Sequence, residues 1–343
     1  MVCRYRGLRH AHHPGRPPSR IAWRRGAGGV RRRVHPAGRR AAAHPFGRRL
    51  PLRRRGAHRF PAGLLGAGRP RAGMTDLFSF NHFCRSPWYG LKVDLPAAVD
   101  AVARAGFDML AVDCLSLGQW KGEGGSVRAL ARRMRDAGLA AGPLAACAMI
   151  DGSAGALAQL EAAARDGEAL GTAILQVNVT GPDRQARAAA VAAACERTPG
   201  LRLALEFMPI SGLSTLAETL DIVEAVGPAR AGALVDVWHL SHDPDGWSTL
   251  ETAPPGHIAY VEIDDALPPA GDDVLAEMMD RRTFPGEGVL DVGRFARTLR
   301  NRGFSGVVSV EILSRAHLAD PLGGFAARAL STARGAWDGG NPA

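Results

Sequence analysis

Acidic residues and lysine are absent from the first 73 residues of this 343-residue chain, yet that stretch holds 20 arginines. The whole chain has a formal net charge of +10, whereas residues 74–343 carry 23 basic and 33 acidic side chains, a net charge of −10. The basic excess therefore belongs to the N-terminal stretch alone. Its Arg, Ala, Gly, Pro and His follow no period, and it has few aliphatic residues with which to build a core. Aromatics enter it only at Tyr5, Trp23, Phe46 and Phe60, poor provision for an RNA-binding arm. No amphipathic helix marks a transit peptide. Residues 1–73 are expected to be a disordered Arg-rich extension, or upstream DNA read through a start placed ahead of Met74. A targeting peptide and an RNA-binding arm are the rival readings.

Other absences narrow the function. No apolar run reaches the length of a membrane span, and no secretory signal with an apolar h-region is visible, so no membrane partner is expected. The five cysteines, Cys3, Cys84, Cys114, Cys147 and Cys195, form no CxxC. That excludes a zinc knuckle or disulfide framework and fits reduced thiols in the cytoplasm. No GxGxxG follows the first apolar run and no Walker-type glycine loop occurs; GEGG at 122–125 reads as a loop.

From Leu77 onward, short apolar runs alternate with longer Ala/Leu/Arg-rich helical patterns. Strands are expected at 77–81, 109–114, 139–147, 173–179, 201–207, 231–237, 258–264 and 306–313, most followed by a helix after a short loop. Continuous apolar strands point to a parallel sheet covered on both sides. Eight such units close into a (β/α)8 TIM barrel occupying residues 74–343 as one domain; an open doubly wound sheet is the runner-up.

A barrel gathers the C-terminal ends of its strands around one pocket. Strand five ends LALEFMP, with Glu206, and strand six LVDVWH, with Asp236 and His239. Strand seven runs YVEIDDA, with Glu262 and Asp264 on one face and Asp265 beyond; strand eight runs SVEIL, with Glu311. A lone Asp at a strand end is an ordinary helix N-cap, and a lone Glu an ordinary rim residue. Four converging carboxylates would repel one another and lose hydration. A divalent cation removes that conflict, and an all-oxygen set favours Mn or Mg over Zn.

The spacing of LEFMP, VDVWH, DDA, PGEG and SVEIL over about residues 77–315 resembles the xylose-isomerase-like TIM barrel superfamily of sugar phosphate isomerases and epimerases. It also resembles dehydroshikimate-dehydratase-like members. The resemblance implies metal ligands at Glu206, Asp236, position 262 and Glu311, and a substrate- or metal-facing role for His239. Family members usually carry His or Gln at position 262; this chain has Glu262, and Asp264 or Asp265 is the rival ligand. The stretch RRTFPGEG (281–288) implies that Arg282 contacts an anionic or hydroxylated substrate; an ordinary surface arginine is the alternative. Glu287 is either a substrate contact or a loop residue. Asn81, His82, Asn178 and Trp238 complete the candidate pocket, with strand-end caps and core packing as their alternatives.

A metal-polarised carbonyl beside a carboxylate base suits proton abstraction from the neighbouring carbon. The expected function is a metal-dependent sugar isomerase or epimerase acting through an enediolate on a small polyhydroxylated carbonyl substrate. Glu206 and Glu311 are the acid/base pair, Asp236 the anchoring ligand, and His239 polarises a substrate oxygen. A 3-dehydroshikimate-dehydratase-like or keto-sugar lyase uses the same enolate, and a non-catalytic sugar-binding barrel is a further alternative. Endonuclease-IV-like repair enzymes use a histidine-rich zinc cluster. The acidic domain here has only His82, His239, His242, His257 and His317, so no nucleic-acid partner is expected. No phosphate-binding glycine loop follows strands seven or eight, which favours an unphosphorylated substrate; a homo-oligomer is left open.

Overall fold

The protein is described by a computed structural model over residues 76–339; the Arg-rich extension and its Met74 boundary lie outside the described residues. Eight parallel staves surround a barrel: β1 (Leu77–Asn81), β2 (Met109–Ala111), β3 in two pieces (Ala140–Ala141 and Leu144–Ile150), β4 (Ile174–Val179), β5 (Arg202–Glu206), β6 (Ala231–Asp236), β7 (Ile258–Ile263) and β8 (Val307–Val310). Neighbours follow chain order, and β8 pairs with β1. The two pieces of β3 close the ring, the first against β2 and the second against β4. The break falls at Gly142, where a Cβ would stand 2.5 Å from Ser79 Oγ and 2.9 Å from the Ala111 amide nitrogen, so only glycine lets the staves approach this closely.

Helices α1 (Leu95–Ala105), α2 (Cys114–Gly122), α3 (Val127–Asp136), α4 (Ala154–Leu170), α5 (Arg184–Arg197) and α6 (Leu216–Val226) cover the first five strands. They are followed by α7 (Val237–Ser241), α8 (Gly246–Leu250), α9 (Val274–Asp280), α10 (Val292–Asn301) and α11 (Leu322–Asp338). Side-chain oxygens start most of them: Asp94, Asp113, Ser126, Ser153, Asp183, Thr215 and Asp291 each accept an amide hydrogen bond at the helix N-terminus, as orphan first-turn donors require. Their apolar faces pack on the outward residues of the strands to form the main core. The expected barrel is therefore the observed one. Four helices, α2, α7, α8 and α9, were not expected from sequence.

Inside the barrel, alternation sets two layers. Ala204, Leu234 and Tyr260 form a buried plug. Two residues further along the same strands, on the same face, stand Glu206, Asp236 and Glu262. The plug supports the carboxylate layer from below and directs it to the C-terminal mouth.

Candidate active site at the barrel mouth

Strand register determines which polar residues meet. Asn178 pairs with Glu206, Asp236 with Glu262, and Glu262 with Ser309, two residues before Glu311. Ligand oxygens of Asp236, Glu262 and Glu311 consequently lie within 4.8 Å of one another, all three residues buried. Asn81, at the end of β1, donates its Nδ2 hydrogens to Glu262 Oε1 at 2.9 Å and to Glu311 Oε1 at 2.8 Å. Its Oδ1 accepts the Phe83 amide, which fixes the amide orientation. Asn81 thus clamps two carboxylates and caps the following turn at once.

Glu206 belongs to the neighbouring half of the mouth. Gln176 and Asn178, on one face of β4, donate to its Oε2 at 2.5 and 2.7 Å, and His239 Nε2 lies 3.4 Å from its Oε1. Gln176 Oε1 in turn accepts the backbone amide of Ala146, a non-glycine residue at φ 52° beside the irregularity in β3. Left-handed backbone costs an alanine energy; here the strained turn aims an amide at Gln176, which leaves the Gln176 NH2 for Glu206.

Asp236 combines both roles open to a strand-end aspartate. Its Oδ1 caps α7 by accepting the Trp238 and His239 amides at 2.6 and 3.0 Å. Its carboxylate also lies 3.4 Å from Arg282 Nη1. Arg282 is not a surface arginine: it is 1% exposed, it pairs with Asp264 through the same nitrogen, and its guanidinium stacks over Trp238 at 4.5 Å. Trp238 is covered on its other contact by His242, stacked at 3.8 Å. Asp264, the rival ligand, is therefore the partner of Arg282. Asp265 is occupied elsewhere. Its oxygens accept the amides of Ala266, Gly286, Gly288 and Leu290, so it is the post around which the PGEG loop winds. A side chain at position 288 would collide with the Ala266 carbonyl.

Glu287 sits exposed on that loop and pairs with Arg328 at 2.6 Å, an arrangement that favours the loop-residue reading. His82 opens the turn after β1, with Nδ1 held between Asp113 Oδ2 at 3.3 Å and Ser116 Oγ at 3.1 Å. Gln176, Ser309 and Tyr260 were missed by sequence reasoning. Gln176 was within reach of it, since period-2 alternation puts it on the face of Asn178.

The electrostatics follow from this crowding. Burial first, then the charges of Glu206 and Asp236, push the Glu262 carboxyl well above its ordinary value. Burial, then Glu262 and Glu206, do the same to Glu311. Burial also pushes Asp236 up, but Arg282, His239 and the two capping amides outweigh it and hold it below the carboxylate range. Asp236 is thus a fixed anion, while Glu262 and Glu311 resist sharing the space as two anions. Glu262 Oε2 and His239 Nδ1 are buried with no hydrogen-bond partner among the described residues. Unpartnered buried acceptors are costly, and a cation among Asp236, Glu262 and Glu311 would satisfy Glu262 Oε2 and relieve the repulsion. The donor set fits a divalent ion.

Residues 99–331 match the family described as xylose isomerase-like TIM barrel. An inosose isomerase from Halalkalibacterium halodurans is 32% identical over 116 residues, which cover 33% of this chain and 40% of that protein. A 3-dehydroshikimate dehydratase from Pseudomonas aeruginosa is 30% identical over 126 residues, 36% of this chain and 19% of that one. The chain therefore spans well under half the length of these relatives. Among solved structures, the IOLI protein with a binding zinc atom superposes with a TM-score of 0.67 at 17% identity, covering 76% of this chain and 98% of that one, a likeness of fold.

Proposed function

Since the chain belongs to the xylose isomerase-like TIM barrel family, we propose that it is a divalent-metal-dependent sugar isomerase or epimerase acting on a small polyhydroxylated carbonyl compound. The observation that carries this reading is the buried convergence of Asp236, Glu262 and Glu311 within 4.8 Å, with Glu206 and His239 beside it. Asp236, Glu262 and Glu311 would hold the cation, with Mn or Mg favoured over Zn by the oxygen set. A bound cation would polarise the substrate carbonyl and stabilise the charge that develops on its oxygen.

The chain's own residues do the rest. Glu206, held at Oε2 by two amides, keeps Oε1 for the proton next to the carbonyl. Glu311 stands three strands away, placed to return a proton to the opposite face or to the adjacent carbon. The first outcome is epimerisation and the second aldose–ketose isomerisation, both through an enediolate. His239 polarises a substrate oxygen, and Arg282, packed against Trp238, presents guanidinium hydrogens to a hydroxyl or carboxylate. Its Nη2 is buried without a partner among the described residues, which supports that role. The match to a dehydratase favours a second reading, in which the same enolate expels a β-hydroxyl.

Metal content of the purified protein, followed by NMR of ketoses and cyclic keto-polyols incubated in D2O, tests the proposal. Exchange of the carbon-bound hydrogen with product retained supports isomerase or epimerase; exchange with loss of water supports the lyase. A protein that binds metal and catalyses neither is a binding barrel, and the enzymatic reading fails.

A further inference from the structure

On the outer layer, away from the barrel mouth, a cleft of about 510 Å³ separates α3 from α4. Its walls are Arg128, Arg132 and Arg135 from α3 and Arg165 from α4; its floor is Ala131 and Ala169, and Glu168 is the one carboxylate on its lining. The three α3 arginines are spaced i, i+4 and i+7, so they share one helix face and extend along about 10 Å of it. Like charges at this spacing oppose helix formation.

None of these four arginines is in an ion pair among the described residues, whereas Arg133, on the same helix, is. Elsewhere on its surface, Arg133 holds Asp100, Arg197 holds Glu161, Arg230 holds Glu196 and Arg294 holds Glu251. Among the described residues, no carboxylate lies within 4.0 Å of Arg128, Arg132, Arg135 or Arg165, although residues 74–343 carry an acidic excess. Asp166, next to Arg165, is turned to Lys121 at 2.8 Å. Four exposed arginines thus line one small-floored cleft without a carboxylate partner. A guanidinium fork matches phosphoryl oxygens in pairs, and the volume lies in the range of small-ligand sites.

We propose that the α3–α4 cleft binds a small polyphosphate, a ligand with two or more linked phosphoryl groups whose length matches the row of arginines. The site is independent of the reaction assigned to the barrel mouth. The test uses the full chain and inorganic tripolyphosphate, read by hydrogen exchange with mass spectrometry, because the Arg-rich N-terminal stretch also attracts polyanions and only a local readout separates the two. Tripolyphosphate is expected to protect peptides covering 127–136 and 160–170. Removing charge with Arg132→Ala, Arg135→Ala and Arg165→Ala together should weaken binding there by about a hundred-fold or more, with melting temperature unchanged or raised. Glu168→Gln, which keeps the shape and removes the carboxylate, should tighten it. Protection confined to residues 1–73, an affinity insensitive to the triple substitution, or equal protection by orthophosphate overturns the proposal.

Discussion

Replacing Glu262 by glutamine should stabilise the metal-free protein. The ligand oxygens of Asp236, Glu262 and Glu311 lie within 4.8 Å of one another. Two unit charges at that separation, at an effective dielectric of about 20, repel by about 3.5 kcal/mol. Glu262 faces two such neighbours, and its raised affinity for a proton shows how the fold avoids part of the cost. Glutamine keeps the Oε1 that accepts from Asn81 at 2.9 Å. Its NH2 takes the place of the unpartnered Oε2 and donates toward the remaining carboxylates. A gain of about 2–4 kcal/mol is expected, or about 4–12 °C in melting temperature for a domain of this size.

The sign of the pH dependence is fixed by direction. Glu262 and Glu311 both lie above the ordinary value of 4.5, so the folded chain holds these protons more tightly than the unfolded chain. That contribution is fully present below about pH 4.5 and is lost as pH rises through the folded values. In chelator, the parent should lose stability from about pH 5 to about pH 8 more steeply than Glu262→Gln, and the gap between them should be widest at the alkaline end. Added Mn²⁺ should raise the parent more than the variant. Calorimetric melts across this range, with and without Mn²⁺, measure all three. A variant that melts below the parent at pH 8 in chelator, or a gap that does not change with pH, refutes the reasoning.

Three further outcomes are expected. Arg282→Met leaves Asp236 and Asp264 without their buried cation and should cost about 3–5 kcal/mol in denaturant unfolding; an unchanged midpoint counts against the ion pairs. Asp265→Ala releases the Ala266 amide and three amides of the 286–290 loop and should cost about 3 kcal/mol, with fast hydrogen exchange at Gly286 and Gly288; retained protection there contradicts the role of a post. Glu206→Gln and Glu311→Gln should each abolish solvent-deuterium exchange into a substrate that the parent labels, while circular dichroism stays that of the parent; near-normal exchange by either removes that residue from the acid/base pair.

The barrel was legible because each stave is a short apolar run and most of the long helices between staves repeat an apolar stripe. The site was legible because a carboxylate inside such a run is conspicuous. What failed to show has particular causes. Helix α2, CLSLGQWKG, mixes polar and apolar residues without an apolar stripe and has glycine at 118 and 122. Helices α7 and α8 have five residues each and α9 seven, too few turns for a period to register. Gln176 carries no charge to mark it, and its importance lies in two contacts 30 residues away on either side. The PGEG loop drew attention to Glu287, its exposed tip. The residue that builds the loop is Asp265, more than 20 positions upstream. Local motifs announce where a turn is, not which distant side chain satisfies its amides.

The remaining question is why position 262 tolerates a glutamate where a neutral ligand would repel less. Asn81 offers an answer. It bridges Glu262 and Glu311 with two hydrogens from one amide, so the pair can share one proton and still keep both oxygens placed. Arg282 meanwhile pairs with both Asp236 and Asp264 on the other flank, where burial pushes the Asp264 carboxyl well above its ordinary value. The carboxylates are thereby divided into a flank with its own cation and a pair without one. Under the proposed function, Glu262 and Glu311 would hold a divalent ion together with Asp236, giving up the proton they share. Binding that ion should then release protons and strengthen as pH rises. The additional anionic oxygen is hard rather than soft, which is the physical basis for favouring Mn²⁺ or Mg²⁺ over Zn²⁺ at this site.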